Sequence, residues 1–247
     1  MSNKGSIRSA DIKVLWGRSG NICAMCKITL AEDDTTSKPY LIGEMAHIEG
    51  ENLNSARYNK DMTDPERNCY ENLILLCPSC HTQIDKNPSN YSVAYLHNLK
   101  KDHETWVSKT LQSRMVQMNF SELDVICKYL INTPITDRET ITVIPPREKI
   151  YKNNLSTEVS NLILSGMLQT KLVKDYLNRN IDIDFSERLR AGFVKKYQES
   201  VANGFKRDAL FYELFDFAAH NSADFNTRAA GLAVLTYFFE ICEVFEK

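Results

Sequence analysis

Residues 71–85, ENLILLCPSCHTQID, decide how the first half of this chain folds. ENLILLC is a compact apolar run of strand length. It ends at a Cys-x-x-Cys pair, Cys77 and Cys80, and beyond that pair CHTQID has the spacing of a helix. Upstream, NICAMC holds a second pair, Cys23 and Cys26. Two such thiolate pairs brought together give the tetrahedral four-sulfur shell that structural zinc prefers. Four thiolates leave no open position for water, so any chemistry must lie elsewhere.

The chain has 247 residues, 43% of them hydrophobic, which is enough for two modest domains with real cores. Its seven cysteines are an odd number, and two Cys-x-x-Cys pairs in a reducing compartment favour metal ligation over disulfides. Cys69, Cys127 and Cys242 remain as free thiols without a task. No stretch approaches the roughly 18 uncharged apolar residues of a membrane span. The start, MSNKGSIRSADIKV, lacks the apolar run of a secretory signal, so a soluble, cytoplasmic protein is expected. A net charge of −2 argues against a broad electrostatic grip on nucleic acid and leaves room for a local basic strip or a partner that delivers substrate.

Residues 7–18, IRSADIKVLWGR, read as a short helix stopped by Gly17 and Gly20. Residues 31–39 read as a polar loop, LIGEMAHI as a short strand, and ENLNSARYNKDMTDPER as a second loop. From Ser92 to Leu111 a helix is expected, with Val93, Leu96, Leu99, His103, Trp106, Val107 and Leu111 on its packed face. His97 and His103 there read as structural or solvent-facing. Residues 132–154 carry three prolines and little helical period, as an interdomain linker or edge strand does. From Leu155 onward the period is helical again, enough for about four helices. An α+β chain follows: an N-terminal domain over 1–115, a connecting segment over 116–154, and an all-α domain over 155–247 for partner binding or homo-oligomerisation.

Three further residues fall around the cysteine pairs: His47 in GEMAHIEG, Asn72 at the head of the strand run, and His81 directly after Cys80. The ordered pieces AHI, ENLILLC and CxxCHxxID, with the upstream cysteine pair, resemble the HNH endonuclease family of ββα-metal fold, in its branch stapled by two Cys-x-x-Cys pairs. The resemblance covers about residues 15–106. It implies that His47 is the general base that takes a proton from the attacking water, a task suited to an imidazole because its ordinary pKa lies near neutrality. Asn72 would either fix the loop that aims His47 or coordinate the metal. His81 would be the first ligand of a catalytic Mg²⁺ or Mn²⁺, with Asp85 one helical turn later on the same face. This chain departs from the family at Ala46, where many members carry a second ligand; Asp85 or Glu44 would then supply it.

The terminal GLAVLTYFFEICEVFE is similar to the C-terminal helical domains of effector nucleases in bacterial ABC-three-component defence systems. That resemblance implies an SMC-like ABC ATPase and further defence subunits as partners; a plain oligomerisation domain is the alternative. The expected function is a metal-dependent endonuclease acting on DNA in antiviral or anti-plasmid defence, though nothing in the sequence separates DNA from RNA. The competing expectations are a non-catalytic zinc module that binds nucleic acid or protein, and a toxin-like nuclease released by an inhibitor. Arg57, Lys60 and Arg67 in the long loop are candidates for phosphate contact, solvated loop charges being the commoner outcome.

Overall fold

Helix α1 (Ser9–Ser19) opens with Asp11 in its first turn, where a carboxylate favours the helix dipole, and stops at Gly20, whose φ of 64° suits glycine. This computed structural model describes residues 6–32, 40–131, 145–182, 184–241 and 245. Most of the expected polar loop (33–39), part of the connecting segment (132–144) and Cys242 lie outside the described residues. The chain divides into two compact units, 1–109 and 110–247.

In the first unit, two short strands, β1 (Ala31–Glu32) and β2 (Tyr40–Leu41), pair antiparallel. The expected strand LIGEMAHI is broken at Gly43, where a Cβ would meet the Trp16 ring at 2.7 Å. Only beyond it does β3 (Glu44–His47) begin. β3 pairs antiparallel with β4 (Leu73–Leu76) from Glu44↔Leu76 to His47↔Leu73. Between them come a short helix, α2 (Asp64–Arg67), capped reciprocally by Thr63 and Glu66, and a 3-10 turn at Tyr70–Asn72. All four β4 side chains are buried, with α1 and the following helix, α3 (Pro78–Lys86), both packed against the strand. A strand covered in this way shows a continuous apolar run instead of alternation. Helix α4 (Val93–Gln117) then begins, burying Leu96, His103 and Val107 and leaving His97 exposed.

The regular elements of the second unit are all helices among its described residues, and they differ from expectation at two places. The segment 116–154 contains helix α5 (Phe120–Leu130) and helix α6 (Pro146–Lys152), where a connecting piece was expected. Leu123, Ile126, Cys127 and Leu130 have helical spacing and are buried; of the prolines that suggest a linker, Pro145 and Pro146 mark the start of α6, and Pro134 lies outside the described residues. The helical period that runs unbroken through VSNLILSGMLQTKLVKDYL (159–177), read as one of about four helices, is carried by two, α7 (Thr157–Met167) and α8 (Thr170–Asn178), separated by a turn in which Gln169 N–H bonds Gly166 O. Helices α9 (Phe185–Ala202), α10 (Arg207–Ala218) and α11 (Phe225–Ile241) complete five in this region.

Helix α11 is the hub, touching α5, α7, α8, α9 and α10. Every residue from Arg228 to Phe239 is buried, so this helix is apolar on all sides instead of amphipathic. Buried Lys149 donates to Phe239 O at 2.8 Å, satisfying a carbonyl in the last turn of α11. Gly231 lets α11 approach the end of α10: a Cβ there would lie 2.8 Å from the Ala218 carbonyl carbon. Gly231→Val is therefore expected to destabilise the second unit by about 3 kcal/mol or more. Amide exchange should accelerate in α10 and α11 while β3 and β4 stay protected.

Candidate active site and zinc centre

The two cysteine knuckles meet. The sulfurs of Cys23, Cys26, Cys77 and Cys80 all lie within 4.8 Å of one another. Cys26 Sγ and Cys77 Sγ are 3.7 Å apart, against the ~3.8 Å edge of a tetrahedron with Zn–S bonds of about 2.3 Å. The first knuckle is shaped by Cys23 N–H bonding Ile28 O and Lys27 N–H bonding Cys23 O, with Lys27 at a φ of 63°. The second is the N-terminus of α3, where Pro78 occupies the first helical position and Cys77 Sγ accepts from Cys80 N–H at 3.4 Å. Ala24 N–H bonds Leu75 O, so the first knuckle is tied to β4 directly.

Charge supports the same reading. Burial alone would raise the Cys23 thiol, but backbone N–H groups of Cys26, Cys77 and Met25 aimed at its sulfur bring it below its ordinary value. Burial and the neighbouring sulfurs push Cys80 up, which is the mutual repulsion a central cation relieves. Lys27 Nζ donates to Ala24 O and to His103 Nδ1, and His103 Nε2 donates to Ser19 O, bracing the knuckle from α4. Burial first, and the Lys27 charge second, hold His103 down at about 4.

His81 follows the last zinc-type ligand by one residue and stands between two carboxylates. Its Nδ1 lies 2.7 Å from Glu44 Oε2, and its Nε2 lies 3.4 Å from Asp85 Oδ2. A carboxylate can only accept, so Nδ1 carries the hydrogen in the Glu44 contact. In the neutral ring Nε2 is then a lone pair near Asp85, at an ion-pair distance too long for a good hydrogen bond. Arg57 fixes Asp85 from the other side, with Nη2 at 2.7 Å from Oδ1. The same guanidinium donates to Ile48 O and Ile84 O at 2.8 and 2.7 Å. The Arg57 side chain is only 4% exposed, so it is a clamp between the end of β3 and the end of α3, not a solvated loop charge.

His47 is not in direct contact with this group. Along β3, Glu44 and Ala46 share one face and Met45 and His47 the other. Ala46 is fully buried, whereas His47 Nε2 meets Asn68 Oδ1 at 3.0 Å. Asn72 is 2% exposed and its amide is spent on backbone: Oδ1 accepts from Glu49 N–H at 2.8 Å, and Nδ2 donates to Glu49 O and Arg67 O at 3.0 and 2.9 Å. Those bonds hold Glu49, two residues after His47, and tie it to Arg67. Arg67, also buried, donates to Gly50 O, Asn59 O and Met62 O and stacks under Tyr58, closing the long loop on itself.

Residues 23–87 match the HNH endonuclease family model, a span that runs from the first zinc-type cysteine to the end of α3. The N-terminal unit carries an HNH endonuclease domain. No curated protein matches the chain. Within the HNH domain, Glu44, His47, Asn72, His81 and Asp85 all fall inside the matched span. Arg57, Arg67 and Asn68 do too; Arg57 and Arg67, expected as candidates for phosphate contact, anchor backbone instead, and no local pattern marks that role, because the carbonyls and ring these residues engage are set by how the loop closes. Among the described residues, no helix is long and apolar enough to cross a membrane.

Two outcomes follow. The purified protein should hold one zinc per chain by elemental analysis, and Cys80→Ser should lose it together with several kcal/mol of first-unit stability. His103 binds its proton more weakly folded than unfolded, so stability should fall as pH drops from about 6.5 towards about 4. His103→Gln should flatten that difference in paired denaturation curves.

Proposed function

We propose that this chain is a metal-dependent endonuclease that hydrolyses phosphodiester bonds of DNA. The observation that carries the reading is His81 held between Glu44 and Asp85, one residue beyond Cys80 of the zinc-type cluster. An imidazole nitrogen and a carboxylate oxygen 3.4 Å apart suit two ligands of one hard cation, whose neighbouring donors sit about 3 Å apart or slightly more. His81 Nε2 and Asp85 Oδ2 would hold it, and Glu44 would orient the His81 ring through Nδ1 without being a ligand itself. Magnesium or manganese, when bound, supplies Lewis-acid polarisation of the phosphate and charge beside the leaving 3′ oxygen.

The chain's own residues do the rest. His47 takes the proton of the attacking water. Asn72 fixes the loop after His47, and its amide, fully engaged with backbone, supports this role over direct metal coordination. Cys23, Cys26, Cys77 and Cys80 would hold zinc and so anchor α3, keeping His81 where Glu44 meets it. The second unit docks the enzyme to partners, an SMC-like ABC ATPase and further subunits of a bacterial defence complex, or to another copy of itself. Such a partner would bring DNA to a cytoplasmic protein whose net charge of −2 gives it little general affinity for phosphate.

Two observations favour a second reading, a non-catalytic zinc module that binds nucleic acid or protein: Ala46 is fully buried, and one Asp85 oxygen is already taken by Arg57. Plasmid nicking with Mg²⁺ or Mn²⁺ separates the two. His47→Ala should lower the rate by about 10²- to 10⁴-fold. His81→Ala should also abolish binding of a second, non-zinc ion in a manganese titration. Equal nicking by wild type and His47→Ala, or a single zinc and no further ion in the wild type, would overturn the enzymatic reading.

A further inference from the structure

The bond from His47 to Asn68 fixes which ring nitrogen can act. Asn68 follows α2 and is 6% exposed. Its Nδ2 donates to Asp64 O at 3.2 Å, in the helix it ends. A backbone carbonyl only accepts, so the amide nitrogen must face Asp64 and the amide oxygen must face His47. That oxygen lies 3.0 Å from His47 Nε2 and can itself only accept. Nε2 therefore carries the ring hydrogen, and in the neutral imidazole the lone pair is on Nδ1.

We infer that Asn68 is a positioning residue that locks His47 as the Nε2–H tautomer, so that Nδ1 is the atom that receives the proton. The inference rests on His47 being the general base. It adds a division of labour between two asparagines: Asn72 holds the backbone beyond His47, while Asn68 holds its ring. Arg67 links them, since its carbonyl accepts from Asn72 and its guanidinium closes the loop that leads to α2. A free imidazole divides its proton between both nitrogens and rotates about its side-chain bonds; a buried acceptor on one nitrogen removes both freedoms.

Nitrogen-15 NMR of the ring tests this on the full chain, with or without catalysis. Wild-type His47 should show a protonated Nε2 and a lone-pair Nδ1 at a pH where the ring is neutral. Asn68→Leu, of similar size but without an acceptor, should shift the ring towards a mixture of tautomers and lower kcat by about 10- to 100-fold with little change in KM. Asn68→Asp keeps the acceptor and should retain the Nε2–H form and most of the lost rate. A protonated Nδ1 in the wild type, or an Asn68→Leu protein with full zinc content and unchanged tautomer and kcat, overturns the inference. If His47→Ala cuts as well as wild type, the general-base assignment falls instead, whatever the tautomer.

Discussion

Four thiolates gathered within 4.8 Å repel one another unless a cation sits among them, and the first unit is arranged around that requirement. Its regular sheet is small, two pairs of short strands. Such strands contribute little independent stability. The cysteine centre joins the turn after α1 to the N-terminus of α3, and Ala24 N–H to Leu75 O ties the same turn to β4. Helix α3 is thereby held against β3, and the face of α3 that carries His81 and Asp85 meets Glu44 as a result.

A second level of constraint is polar and buried. The loop from Ile48 to Asn68 contains only one short helix, so its backbone groups need partners from side chains. Arg57, Arg67 and Asn72 supply them, each aimed at two or three backbone atoms. Charged side chains buried in this way are costly unless fully bonded, which accounts for the density of contacts around both guanidinium groups. The loop is closed by its own side chains beside His47. The second unit solves a different problem, surrounding one apolar helix, α11, and keeps buried charges such as Arg228 beside Asp216 and Lys149 on Phe239 O as internal contacts.

Much was legible before any coordinates. The Cys-x-x-Cys spacings gave the metal-type cluster, because two thiols three residues apart on a tight turn can share an ion. The run Leu73–Leu76 gave the buried strand, and the spacing of His81 and Asp85 gave their shared helix face. Composition and structure diverge at two places: prolines at the start of α6 look like a linker, and the continuous helical period across residues 168–169 conceals a turn. Asn68 is an ordinary asparagine after a short helix, and no pattern distinguishes it.

The sequence by itself determined which chemistry the chain can hold: a sulfur shell for a structural ion, a histidine and carboxylate one helical turn apart, and a second histidine near the end of a strand. These follow from residue type and local spacing, which the backbone geometry of turns, helices and strands converts directly into proximity. Only the tertiary structure decided that Glu44 reaches His81, that Arg57 takes one oxygen of Asp85, and that Asn68 meets His47. Those pairs are 37, 28 and 21 residues apart, and their meeting depends on how a long polar loop satisfies its own buried backbone, which no local spacing records.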